Sequence, residues 1–173
     1  MRSDVRSVID ILPLPESEGM QSTGLIFPTE WTISLRGELV TIPYRLYFDE
    51  PDPRRESNLS DTQRTILNCI FLRHHDGYLR ERRLRQLTEK QEIWTVPFTT
   101  QLLGEYVFEI LEVLDQRVNS ETVATYRAFT LENPNYWRRT QSRVISYWNE
   151  YYRKRFPELQ EYLGTKIVDR ING

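Results

Sequence analysis

The sequence predicts an α+β fold, mainly α, with five to six helices packed around a central buried helix at about 96–118 and one N-terminal β-hairpin at about 30–48. Two observations carry this. Across residues 96–118 the apolar positions Leu102, Leu103, Tyr106, Val107, Phe108, Ile110, Leu111, Val113 and Leu114 leave only a narrow polar seam at Gln101, Glu105, Glu109, Glu112 and Gln116. A helix with so wide an apolar surface has to be covered on two or more sides. Earlier in the chain, Trp31, Ile33 and Leu35 alternate with Thr32, Ser34 and Arg36. Gly37 then supplies a turn, and Val40, Ile42, Tyr44 and Leu46 alternate with their neighbours, the period-two pattern of a hairpin.

The elements follow in order. Residues 1–29 read as a short helix with Val5, Val8, Ile9 and Leu12 on one face, followed by a Pro- and Gly-punctuated connector from Pro13. In the hairpin, Pro43 cannot donate to a ladder, so the second strand should turn that position outward or lie at an edge. A two-stranded hairpin is marginal in water by itself; this one must pack on helices or gain a third strand, and packing on helices is the simpler expectation. Residues 49–58 form a charged, proline-bearing link. Beyond it, 59–173 is the helical core of what reads as one 173-residue domain.

Within that core, Ser60 or Asp61 caps a helix that buries Ile66, Leu67, Ile70 and Phe71. His74-His75-Asp76-Gly77 breaks the chain, and residues 78–87 resume it with Leu79, Leu84 and Leu87 inward and the arginines mostly outward. Residues 88–93 read as a loop. After the central helix, a helix restarting at Asn119 or Ser120 places Val123, Ala124, Ala128 and Leu131 on one face and stops before Asn133-Pro134. From Pro134 a helix runs to Phe156 with Trp137, Val144, Trp148, Tyr151 and Phe156 inward. Pro157 opens the last helix, in whose middle Gly164 costs about 1 kcal/mol.

Composition narrows the function classes. The formal charge of −2 gives no overall electrostatic pull toward nucleic acid or an anionic membrane. No segment approaches the roughly 20 apolar residues of a membrane span, and the first thirty residues hold no secretory apolar run, so a cytoplasmic location is the expectation. The lone Cys69, in an apolar helical pattern, fits a buried hydrophobe in a reducing compartment. Ten tyrosines and four tryptophans argue against disorder and for amphipathic rings near the surface or an interface.

Nucleotide-binding, nucleophile-elbow and paired-cysteine signatures are missing, and no cofactor is implied. The reading is therefore a non-catalytic cytosolic protein-interaction module whose partner is another protein. Its candidate contact residues are Arg138, Arg139, Arg143, Tyr147 and Tyr152, where arginines interleave with aromatic rings as they do in interface hot spots. The alternative is a nucleic-acid-binding regulator using Arg80, Arg82, Arg83 and Arg85. A further alternative is a metal-dependent or carboxylate enzyme at His74 and His75, with Glu105 and Glu109 one turn apart on the central helix. If Glu105 is buried it needs a partner, and the arginines of residues 80–85 are the nearest supply.

Two resemblances are visible. Leu59-Ser60-Asp61-Thr62-Gln63-Arg64, leading into Ile66, Leu67 and Ile70, resembles the opening helix of winged helix-turn-helix domains. The resemblance would make the following arginine-bearing helix a recognition helix, although a long apolar stretch and not a wing follows Leu87. Residues 76–84 are similar in pattern to the second helix of a HEAT-type repeat, a scaffold for protein binding.

Overall fold

A computed structural model of the chain describes residues 2–14, 30–87 and 92–173. The connector expected from residue 13 lies mostly outside the described residues, as does most of the loop expected at 88–93. The fold is mainly α with one hairpin, as the sequence predicts. Its elements are α1 (Arg2–Ile9), β1 (Glu30–Leu35), β2 (Glu38–Pro43), α2 (Pro53–Glu56), α3 (Asp61–Phe71), α4 (Gly77–Arg85), α5 (Val96–Gln101), α6 (Phe108–Arg117), α7 (Val123–Glu132), α8 (Pro134–Tyr147) and α9 (Leu163–Asn172).

The stretch 96–118 is the buried centre, but it is two helices. α5 runs into a 3₁₀ turn, Leu102–Gly104, and Glu105 then takes extended backbone (φ −121°, ψ 158°) before α6 begins. α5 is enclosed nearly all round, whereas α6 buries Ile110, Leu111, Val113 and Leu114 and turns Glu109, Glu112 and Gln116 to solvent. Gly104 is where α8 comes closest: a Cβ there would stand 3.0 Å from Cδ of Arg143. The main core gathers around these helices, and a smaller cluster of Val8, Leu59, Ile66, Leu67, Phe71 and Leu79 fastens α1 to α3 and α4.

Local chemistry explains the helix starts. Ser60 and Gln63 form a reciprocal capping box at α3, and the Asp76 carboxylate accepts from the Tyr78 N–H to start α4. The hairpin closes through Arg36 (φ 54°) and Gly37 (φ 81°), the two positive-φ positions of a tight turn whose twist matches the strands. Its second strand is shorter than expected, ending at Pro43. The following chain leaves the hairpin and makes a parallel bridge, Leu46 to His74.

Three assignments are corrected. α7 starts at Val123 and faces inward with Tyr126, Phe129 and Thr130, while Ala124, Ala128 and Leu131 are exposed; the larger rings take the buried face. The helix from Pro134 is α-helical only to Tyr147, and Trp148–Tyr152 forms a π turn. Because a π turn closes at i+5, the inward position after Trp148 falls on Tyr152, and Tyr151 points to solvent. Similarly, Gly164 lies in the first turn of α9, not the middle. A Cβ there would press on Tyr162 at 2.8 Å and Val144 at 3.0 Å, so glycine is what this close approach requires.

The hairpin is held by a helix end, and no third strand joins it among the described residues. On β1, Ser34 N–H donates to Asn133 Oδ1 (2.7 Å) and Asn133 Nδ2 donates to the Ser34 carbonyl (2.8 Å), so one amide side chain does the work of a strand partner. Glu132 accepts from the Ser34 hydroxyl and the Arg36 and Gly37 N–H groups. Asn133→Ala strands both Ser34 main-chain groups and should cost about 1–3 kcal/mol in urea unfolding; a loss within about 0.3 kcal/mol would show that water replaces the clamp.

Candidate interaction surface

The electrostatic centre of the molecule is built where four segments meet. The Leu46–His74 bridge, with Leu46 N–H donating to the Arg73 carbonyl (2.8 Å) and His75 N–H to the Leu46 carbonyl (2.9 Å), sets Arg45 beside Arg73. α4 brings Arg80, and the break before α6 brings Glu105, which is 2% exposed. Arg45 Nη2 donates to both Glu105 oxygens (2.8 and 2.7 Å), Arg80 Nη2 donates to Oε2 (3.2 Å), and Arg73 Nη2 stands 3.6 Å from Oε1. Main-chain carbonyls share the load: Arg80 Nη1 donates to those of His74 (2.7 Å) and His75 (2.8 Å), and Arg73 Nη2 to that of Tyr44 (3.2 Å). Burial pulls the Arg73 guanidinium down to about 10 against the opposing pull of Glu105, which leaves it charged at neutral pH.

Outside this centre lies a row of rings and guanidinium groups. Residues 139, 143 and 147 of α8 share one stripe, one turn apart. The Arg139 and Arg143 guanidinium groups lie 5.3 and 5.1 Å from the Trp31 ring centre, and Arg143 also lies 5.2 Å from that of Tyr44. Tyr147 continues the row to Tyr106 (6.2 Å) and Tyr151 (5.9 Å), and the Tyr152 hydroxyl donates to the Tyr106 carbonyl. Beside them a cleft of about 620 Å³ is walled by His75, Tyr78, Tyr106, Phe108, Glu109 and Tyr152. At its edge Tyr47 stacks on His75 at 5.2 Å. Tyr78 is 83% exposed, Tyr47 75% and Tyr151 58%.

Of the five contact residues chosen from sequence, Arg139, Arg143, Tyr147 and Tyr152 lie along this surface. Arg138 does not: it faces away, beside Gln141, Ile145 and Asp169. The arginines of α4 are not mostly outward. Arg80 is spent on Glu105, and Arg83 is buried against Glu56 and Glu50. Arg82 and Arg85 are exposed but pair with Glu50 and Glu81, so α4 offers no row of four free cations to a phosphate backbone.

The His74, His75, Glu105, Glu109 set does not converge. Glu105 is enclosed by arginines, Glu109 faces the cleft, and His74 is nearly buried, its Nδ1 accepting from the Asp76 N–H at 3.1 Å. Among the described residues no group of three or more His, Cys, Asp or Glu stands close enough to hold a metal ion. Cys69 is buried as expected, and burial pushes its thiol far above the ordinary range. Sequence reasoning foresaw a partner for Glu105 on α4 but missed Arg45 and Arg73. The available signal was an arginine set directly against apolar neighbours, Leu72-Arg73 and Tyr44-Arg45-Leu46.

No protein-family model, no curated protein and no solved structure matches the chain. The reading of this surface therefore rests on its geometry. Among the described residues no helix is long and apolar enough to cross a membrane.

Two outcomes test the centre. Glu105→Gln leaves Arg73 and Arg80 buried without their counter-charge and should lower unfolding free energy by about 3–5 kcal/mol, against under about 1 kcal/mol for the exposed Arg82→Ala; equal small losses would mean that the centre carries no net stabilisation. The second concerns pH. Burial, then the neighbouring His75, lower the His74 pKa below 6.5, so as pH falls the unfolded chain takes up a proton that the folded chain resists. This contribution is whole above about pH 7 and declines below about 6.5. His74→Gln should flatten the fall in unfolding free energy between about pH 6.5 and 5; an unaltered slope would assign it to other groups.

Proposed function

We propose that this protein is a non-catalytic interaction module that receives another protein on the tyrosine-lined face formed by the start of α4, the break before α6 and the π turn after α8. The observation that carries the reading is the run of touching rings Tyr147, Tyr151, Tyr106 and Tyr152 beside an open cleft, in which the large apolar areas of Tyr78 and Tyr151 remain in water. Tyrosine gives broad contact area with only two rotatable side-chain bonds to immobilise and keeps a hydroxyl for directional bonds, the properties that enrich it in binding surfaces. Exposed rings held against one another lose less entropy on docking than long aliphatic chains do. The π turn supports the same reading, since wide turns inside helices recur at functional sites and this one places Tyr151 outward. The sole, buried cysteine is compatible with a cytoplasmic setting.

The reading is tested in the native cell with a photoreactive phenylalanine analogue placed at Tyr151 or, on the other side of α8, at Ile145. A discrete protein adduct should form from position 151, be several-fold weaker from 145, and disappear when Tyr78→Ala is added, with the melting temperature of each variant within about 2 °C of the parent. Equal adducts from both positions, or none from either, would overturn it.

A further inference from the structure

The charge of the buried centre does not balance, and the imbalance is local. Three guanidinium groups, Arg45, Arg73 and Arg80, meet one carboxylate, Glu105. The other buried arginine is treated differently: Arg83 and its neighbour Arg82 face Glu50 and Glu56, two charges against two. An excess of two positive charges in a largely enclosed site is costly unless an anion answers it.

The unpaired side-chain atoms of the centre's own arginines are donors. Arg73 is fully buried, yet its Nε and Nη1 meet no acceptor, nor does Nε of Arg80; the buried Nε1 of Trp31, whose ring centre lies 5.1 Å from the Arg143 guanidinium, is also unpartnered. All four are donors. On the solvent side one further guanidinium joins Arg45 at a single ring: Arg45 lies 4.9 Å and Arg143 5.2 Å from the centre of Tyr44. Arg143 has no carboxylate partner among the described residues, while its stem is fixed against Gly104. Arg45 is only 16% exposed at its side chain and Arg143 is half-buried, so water attenuates their field less than it would at an open surface.

The geometry points to an anion site over Tyr44, between Arg45 and Arg143, with Arg73 and Arg80 behind it, built for the dianion of a phosphate monoester. The site goes beyond the protein-docking reading and does not depend on it. Two excess charges match a phosphate dianion better than a carboxylate, and paired planar guanidinium groups suit its oxygens. Arg45 is the movable member: when it turns to the phosphate, Glu105 keeps Arg80 at 3.2 Å and Arg73 at 3.6 Å and is not left uncompensated.

The full chain is titrated with inorganic phosphate by calorimetry and by thermal unfolding, at constant ionic strength with sodium chloride and with acetate as controls. Saturable binding at least tenfold tighter for phosphate than for acetate is expected at pH 7.5, weakening as the pH is lowered and the dianion gains a proton. Arg143→Gln, which keeps the stem on Gly104, should weaken it at least tenfold and Arg45→Gln similarly, while Lys166→Gln, an equal loss of charge on α9, should leave it within twofold. Phenyl phosphate and a phosphoserine tetrapeptide as further ligands separate a small free ester from a phosphorylated side chain as the source. Absence of saturable phosphate binding to the parent chain overturns the proposal whatever the variants do, as does an equal loss in Lys166→Gln; neither result bears on the adduct at Tyr151.

Discussion

A single carboxylate, Glu105, is the point where the hairpin exit, the end of α3, the helix α4 and the break before α6 are tied together. Removing that charge from water is permitted only because guanidinium groups surround it. At an effective dielectric near 20, one ion pair at about 4 Å is worth about 4 kcal/mol, and guanidinium groups crowded at similar separations repel one another on the same scale. One carboxylate therefore cannot by charge alone hold three arginines together. The carbonyls of Tyr44, His74 and His75, aimed at Arg73 and Arg80, supply part of the remaining negative potential. Those carbonyls are available because the Leu46–His74 bridge leaves them outside any helix or sheet ladder.

The same carboxylate accounts for the form of the central stretch. Read as one helix, residues 96–118 are apolar on nearly every side. In the structure that breadth is the sum of two different faces: the enclosed α5 with its 3₁₀ turn, and the one-sided α6. Periodicity reports how much surface is apolar over a window, and two short helices of different orientation add up to the signature of one long buried helix. Gly104-Glu105 was the mark of the break, a residue without a side chain followed by a charge with no exposed face available to it. The hairpin, the capping box at Ser60, the inward Leu79, Leu84 and Leu87, and a helix beginning at Pro134 were legible because each rests on a local rule.

The arginines were harder to read, for a physical reason. A guanidinium on a long stem is placed in water by default, and only partners distant in sequence reverse that. Arg80 finds its carboxylate 25 residues away and Arg45 finds the same one 60 residues away. Spacing along α4 carries no trace of either. The tyrosine row was half legible: Tyr147 and Tyr152 were marked by their arginine neighbours, but Tyr106 was assigned to the buried helix and Tyr151 to the inner face of α8. Both errors come from backbone irregularities, the extended Glu105 and the π turn.

These irregularities place the two candidate surfaces on one structural frame. The stem of Arg143 lies against Gly104, so the residue whose head reaches Tyr44 also sets how closely α8 approaches the break from which Tyr106 emerges. Four residues further along α8, Tyr147 meets Tyr106 directly. Holding Arg143 in place therefore orders the floor of the tyrosine row, because a ring can offer a firm contact only if the backbone beneath it is fixed. The buried charge centre thus does more than hold the fold: through Gly104 and Glu105 it determines where the outward rings stand.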